Sequence, residues 1–287
     1  MSLTLDLPPS MLTTAPQTPA YFPAWFAERQ QSAWQRFLAT SAPKRGDETW
    51  RFSSIKQLDF SAFRKAPVSG ANALIARSTG LAAPAAKLVF VNDELVHVES
   101  HLPEGVICLP LAEALVSHSD LVQAHFMKQQ TRLGSAKFAA LHEASLTNGL
   151  FVHVADNLEV EGTIEVHHWI SGENTVIFPH TLIVTGKSSK VRVVDIFRSA
   201  DEVQPGLAIA FNDLCAGQNS QLNYIAIQAF NEVSRVIQIN ETAAARDSST
   251  TGFILNTGAA WARNESLSRL EGSGSRSDML SVSIPAH

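Results

Sequence analysis

The sequence predicts a mainly β fold: a parallel β-helix, or β-solenoid, with two strands per coil, preceded by an N-terminal α-helical and α+β region. Three observations predict it. First, a corner signature of the form G-x-x-S-x-apolar recurs at Gly186 to Val191, Gly217 to Leu222 and Gly274 to Met279. A weaker copy runs from Arg246 to Thr251 and a copy without glycine from Ala155 to Val160, so that the steps between the first residues of the later copies are 31, 29 and 28. Second, each copy leads into a segment rich in β-branched and aromatic residues with a partial period of two: Val191 to Phe197, Leu222 to Gln228, Gly252 to Leu255 and Met279 to Ile284. Third, a second set of such segments lies between them, at Thr175 to Val184, Leu207 to Leu214 and Arg235 to Asn240. A unit of about thirty residues cannot bury its own apolar face, whereas stacked units share a continuous core and bond each backbone edge to the next coil. The recurring Gly and Ser are expected at the corner, where positive φ and side-chain-to-backbone hydrogen bonds turn the chain sharply, and Ser189, Ser220, Ser249 and Ser277 are expected to form one column. A β-sandwich is the competing architecture. It needs hairpin dipeptides, of which Asn148-Gly149 is the one example in the chain.

The elements follow in order. Residues 1–20 are rich in Pro and Thr and predict a disordered tail. Residues 21–65 form an N-terminal helical segment, with a helix from Pro23 to about Thr40 that places Trp25, Phe26, Trp34, Phe37 and Leu38 on one face. Residues 66–86, rich in Ala, Pro, Gly and Ser, read as a linker. Residues 87–148 read as an α/β connector. It comprises a strand pair from Lys87 to Ser100 turned at Asn92-Asp93, a short strand and helix from Val106, and a helix capped by Asp120 that carries Leu121, Phe126, Leu133, Phe138 and Leu141. Residues 149–287 are the β-helix, which stops at Ser283-Ile-Pro-Ala-His287 in or just past a strand and so reads as incomplete at its C-terminal end. An uncovered last coil is a template for pairing, and self-association through it is an expectation.

Composition bounds the function. The chain has 287 residues, 45% hydrophobic and 17% charged, with a net charge of −5 and no Lys/Arg-rich run, which argues against a nucleic-acid partner. No segment approaches membrane length and the N-terminus lacks a basic region followed by an apolar one, so a cytoplasmic location is expected. The two cysteines, Cys108 and Cys215, are far apart and in no CxxC; each reads as a packed, inert thiol. His153, His167 and His168 lie near Asp156 and Glu165 in sequence. His167 and His168 are adjacent, however, so on a strand they face opposite sides and cannot ligate one ion together; ordinary surface or turn roles are expected, with no metal site. No nucleophile elbow, phosphate-cradling loop or zinc-protease motif is present, and Asp195 and Asp213 offer no clear carboxylate pair, so no catalytic residue is assigned. The leading polar candidates are Arg263, Glu265 and Glu271. Arg263 and Glu265 alternate along a strand and share a face; if that face is the solenoid interior, the arginine must be paired, with Glu265 or Glu271 as partner.

The order of these pieces carries a resemblance. An E-x-W-R-[FY]-[ST] segment (Glu48 to Ser53) after an N-terminal helix precedes a LVFVN strand, an amphipathic helix and a solenoid with G-x-x-x-x-R-x-E (Gly258 to Glu265) and L-E-G (Leu270 to Gly272). The chain resembles the SufB/SufD family of iron–sulfur cluster assembly proteins from about residue 22 to its end, and its aromatic-rich first half is more similar to SufD. The resemblance implies a right-handed parallel β-helix and a non-enzymatic scaffold subunit of the SUF complex, acting with a SufB-like partner and the SufC ATPase. An iron–sulfur cluster is then expected to pass through the complex transiently, and a flavin is left open. A β-helix polysaccharide lyase or hydrolase is the alternative reading.

Overall fold

The computed structural model describes residues 11–81 and 83–284, together with a backbone placement but no side chain for residue 55. The expectation of a disordered tail falls outside the described residues for 1–10. Within 11–20, Met11 and Leu12 pack on a hydrophobic cluster and the Thr18 hydroxyl donates to Gln30 Oε1 at 2.6 Å. Helix α1 (Ala24–Ala39) buries Phe26, Gln30, Ala33, Trp34 and Phe37. Leu38 is 53% exposed instead, because one residue past Phe37 the helix turns about 100° away from that stripe. Tight turns at Glu48–Trp50 and Ile55–Leu58 follow.

The stretch 66–86, read as a linker, contains helix α2 (Ala71–Arg77), whose Leu74 packs on Val89, Val91 and Trp169. The expected hairpin is present as β1 (Ala86–Val91) and β2 (Glu94–Ser100), turned by Asn92 and Asp93 at φ 51° and 67°. Strand β3 (Val106–Pro110) and helix α3 (Leu111–Ser117) come next. The single helix expected after Asp120 is two helices, α4 (Ser119–His125) and α5 (Ala136–Ser145). Met127 at φ 42° and Gly134 at φ 123° interrupt it, and Asp120 lies in the first turn of α4 while His118 holds the cap position.

The remainder is a parallel solenoid of two walls. Its strands are β4 (Leu150–Val154), β5 (Ile164–Ile170), β6 (Thr175–Ile177), β7 (His180–Thr185), β8 (Lys190–Ser199), β9 (Gly206–Ala216), β10 (Gln221–Ala229), β11 (Arg235–Ala244), β12 (Ser249–Asn256), β13 (Trp261–Leu270) and β14 (Arg276–Ser283). One wall runs β14-β12-β10-β8-β5-β1-β2 and the other β13-β11-β9-β7-β4-β3, with β6 beside β9. The connector therefore contributes strands to both walls: β1 pairs β5 in parallel and β3 pairs β4 antiparallel. The segment read as one strand, Thr175 to Val184, is broken at Phe178-Pro179 into β6 and β7.

The corners explain the repeat and correct its register. Asn157, Ser188, Asn219, Asp247 and Gly274, with φ between 56° and 72°, occupy one left-handed position in successive corners. Immediately after it, the hydroxyls of Ser189, Ser220, Ser248 and Ser275 donate to the carbonyls of Gly186, Gly217, Ala245 and Gly272 at 2.6–2.9 Å. The serine column is thus 189, 220, 248 and 275. Ser249 and Ser277 stand inside strands, opposite Gln221 and Thr250 respectively. The last two coils are each one residue shorter than the motif spacing suggests, and Gly274 fills the left-handed site while Gly272 fills the glycine site. Gly186, Gly217 and Gly272 are required for close approach: a Cβ on Gly217 would collide with the Thr185 carbonyl of the coil before, and one on Gly272 with the Arg246 backbone.

Inward residues such as Val166, Val193, Ala210, Leu222 and Ala226 form the solenoid core. The outer face of the second wall is covered by the N-terminal helices. Leu207, Ile209, Phe211, Ile237 and Ile239 meet Trp34, Phe37, Trp50 and Phe138, while Leu182 and Val184 meet Phe26, Leu115 and Phe126. Glu143 on α5, 2% exposed, ties this layer to α1 by accepting from Arg29 at 2.6 Å and from Arg36.

Candidate functional site

Two polar constellations stand out from this apolar packing. The first is a clasp between the N-terminal region and β13. Alternation along β13 sends Asn264 and Ser266 inward and Trp261, Arg263 and Glu265 outward, onto the N-terminal layer. The Arg263–Glu265 face is therefore the outer face of the wall, and the expectation of an interior arginine is corrected. The pairing with Glu265 is present, at 2.6 Å, with the two side chains 10% and 4% exposed. The Arg263 guanidinium also donates to Ser53 Oγ at 2.8 Å and to the carbonyls of Thr49 and Leu133 at 2.9 Å, and stacks over the Trp50 ring at 3.9 Å. Glu265 accepts from the Ser135 hydroxyl and backbone N–H, and the Trp50 indole N–H donates to the Gly134 carbonyl. Glu271 does not join them. It lies past the end of β13 and pairs with Arg269 at 3.2 Å. The W-R-F-S and R-x-E motifs, some 200 residues apart in sequence, are thus two halves of one contact.

The second constellation runs inside the solenoid. Asp195 on β8, fully buried, accepts from Thr181 Oγ1 at 2.6 Å and from the Tyr224 hydroxyl at 2.8 Å, and its other oxygen lies 3.3 Å from His168 Nε2. His168 is itself stacked between Phe90 and Phe197, with ring centroids 5.2 and 5.1 Å away. Burial, then the neighbouring Asp195 charge, holds the Tyr224 phenol well above its usual range, so it stays a donor. From Tyr224 the polar file continues through Asn212, whose amide donates to Asn240 Oδ1 at 2.7 Å, and from Asn240 to Ser266 Oγ at 3.2 Å. It opens into a cavity of about 240 Å³ between β11, β12, β13 and β14, lined by Tyr224, Asn240, Thr242, Asn264, Ser266 and Ser277 among others. Sequence reasoning missed this file. Its signal was present as polar residues at inward positions of strands that otherwise alternate, visible once the register is known.

The remaining candidates resolve individually. His167 and His168 do face opposite sides, yet both are buried, at 0% and 2% exposure, which corrects the surface role expected for them. His167 Nε2 bonds Glu165 at 2.8 Å, and the Glu165 carboxylate also accepts the Leu81 backbone N–H, because the loop after α2 lies over this part of the wall. Burial pushes the His167 imidazole down to about 4 despite its carboxylate partner. Cys108 and Cys215 are half-buried; burial raises the Cys108 thiol to about 12 and, together with Asp213, raises Cys215 further, so both resist ionisation. Asp195 is inside the wall and Asp213 outside it, so they cannot act as a pair. Among the described residues no group of three His, Cys, Asp or Glu side chains is placed to hold a metal ion, and no helix is long and apolar enough to cross a membrane. The arrangement supplies tethering and hydrogen bonding, with two walls, an interior polar file and a clasped cover.

Comparison with known proteins gives two adjacent family matches that together span nearly the whole chain: the SufBD protein N-terminal region over residues 21–166 and the SUF system FeS cluster assembly SufBD core domain over residues 168–287. Among curated relatives, the iron–sulfur cluster assembly protein SufD of Bacillus subtilis is 29% identical over 146 residues, 50% of this chain and 33% of the relative. An iron–sulfur cluster assembly SufBD family protein of Pyrococcus horikoshii is 23% identical over 156 residues, 54% of this chain and 35% of its own length. The SufB protein of B. subtilis is 23% identical over 182 residues, 63% of this chain and 39% of the relative. The matched part spans between a third and two fifths of the length of these relatives.

Proposed function

Because the chain belongs to the SufBD family of iron–sulfur cluster assembly proteins, we propose that it acts as a SufD-like scaffold subunit of the SUF system, in partnership with a SufB-like subunit and the SufC ATPase. The observation that carries this reading is the joining of both family regions into one body by the Arg263 clasp, with β-helix walls that offer backbone edges and faces for protein contacts. The higher identity to a SufD than to a SufB, 29% against 23%, favours the SufD-like role. On this reading the protein turns over no substrate itself, an iron–sulfur cluster is cargo of the assembled complex, and the location is cytoplasmic. A flavin stays unassigned.

The test is co-expression of the tagged chain with SufB-like and SufC-like proteins, followed by affinity capture. Retention of both partners in a fixed ratio through gel filtration supports the proposal. Their loss, together with release of unsaturated oligosaccharide from a polyuronate, would support the lyase alternative in its place.

A further inference from the structure

Where the N-terminal layer meets the second wall, two carboxylates stand side by side. Asp213 on β9 and Glu241 on β11 are ladder partners in register, so their side chains leave the same face on neighbouring strands about 5 Å apart. Both are 2% exposed. Asp213 Oδ2 accepts the Met127 backbone N–H at 2.8 Å and lies 3.4 Å from His180 Nε2. His180 Nδ1 is 3.1 Å from His142 Nε2, and His142 Nδ1 is 2.7 Å from the Ile209 carbonyl. The carbonyl can only accept, so His142 Nδ1 carries its proton. Burial, then the neighbouring His180, holds His142 neutral, which leaves its Nε2 as an acceptor for His180. At the far end, His180 Nε2 and Glu241 Oε2 are both buried without a hydrogen-bond partner.

The groups that face this pair come from every packed element. Arg269 and Glu265 approach Glu241 from β13 and Arg132 from the segment after α4, while His125 and Lys128 lie on the Asp213 side. Glu265 is engaged by Arg263 and Arg269 by Glu271, and Arg132 is exposed and acts on Glu241 without forming an ion pair, so Glu241 has no dedicated counter-ion among the described residues. Two neighbouring carboxylates in a dry site do not both ionise cheaply. Burial first and Asp213 second raise the Glu241 carboxyl to about 7.

We propose that the Asp213–Glu241 pair is a proton-operated latch on the segment Met127–Arg132, closed while the Glu241 carboxyl is protonated and loosened when it ionises beside Asp213. The segment is hinged at one end by Arg29, which donates to the Phe126 and Met127 carbonyls, and fixed at the other by the Arg263 clasp on Leu133. Its edge borders a cleft of about 390 Å³ lined by His125, Lys128, Gln129, Asp213, Cys215 and Arg269 among others. Loosening uncovers this cleft and Cys215, the next outward residue after Asp213 on β9. The sign follows from linkage: a carboxyl raised in the closed state stabilises that state fully below the ordinary carboxylate value, and the contribution is lost as pH rises through about 7.

Hydrogen exchange of the full chain, corrected for the intrinsic pH dependence of exchange, tests the latch. Between pH 6 and pH 8 the protection of the Met127–Arg132 amides is expected to fall about tenfold in the wild type, as loss of one bound proton over one unit of pH requires. In Glu241→Gln, which keeps the shape and removes the titration, protection stays at its pH 6 level. Wild-type protection that does not change with pH, or a fall of the same size in Glu241→Gln, overturns the proposal. Alkylation of the wild type, mapped by mass spectrometry, gives an independent reading should the variant not fold. Cys215 labelling is expected to accelerate from pH 6 to pH 8 several-fold more than labelling of Cys108, and equal acceleration of the two thiols counts against the latch.

Discussion

Every nitrogen of the Arg263 guanidinium is engaged, by Glu265, Ser135, Ser53 and the Thr49 and Leu133 carbonyls. A lysine brings the same charge without the planar fork, and Arg263→Lys is expected to lower the unfolding free energy by about 2 kcal/mol in urea titration. Unchanged stability would show that charge alone suffices. At His167, burial depresses the imidazole to about 4, so the folded state binds fewer protons than the unfolded chain between that value and the ordinary one. Its contribution to stability is complete above about pH 6.5 and is lost as pH falls towards 4, and His167→Gln is expected to flatten the stability profile over that window. The pairing of Arg263 with Glu265 was legible from the sequence because a period of two puts them on one face. The place of Glu271 was not, since it depends on where β13 ends. The burial of His167 comes from a loop that crosses the wall from residues 78–81, and no local pattern records that.

At the scale of the corner, close packing and backbone conformation set separate requirements. Gly217→Ala is expected to destabilise by more than 2 kcal/mol, on the order of a badly overpacked core site, because the added methyl meets a backbone carbonyl that cannot move. Ser220→Ala removes two hydrogen bonds, the one donated to the Gly217 carbonyl and the one accepted from the Thr185 hydroxyl, and is expected to cost about 2 kcal/mol at roughly 1 kcal/mol each. Register can be read covalently. Cysteines at 220 and 248 occupy equivalent corner positions on adjacent coils and are expected to cross-link under oxidation, while a 220/249 pair links poorly. The reverse preference would restore the register that the raw motif spacing suggests. That spacing identified the repeat but misplaced two of its serines, because small polar residues cluster at every corner and composition alone cannot tell neighbouring serines apart. The helix after Asp120 failed for a related reason: its apolar periodicity continues across Phe126–Ser135, where tertiary contacts to Asp213 and Arg263 impose a non-helical backbone.

Across the whole molecule, the strand repeat, the two strands per coil and the leading helix were legible, because each is written in local alternation and punctuation. The covering of one wall by the N-terminal region was not, since it joins residues as distant as Trp50 and Arg263. The solenoid and its cover share hydrophobic clusters that include Trp34, Phe37, Phe138, Ile209 and Ile237, so neither part buries its apolar face alone. The two SufBD regions are therefore expected to melt as one cooperative body, locked at the Arg263 clasp. Differential scanning calorimetry of the wild type and Arg263→Met tests it most directly. One transition is expected in the wild type, shifting downward in the variant by several degrees, with fluorescence of the tryptophans and far-ultraviolet circular dichroism following the same curve. Two separate wild-type transitions, with the N-terminal region melting apart from the solenoid, would contradict it.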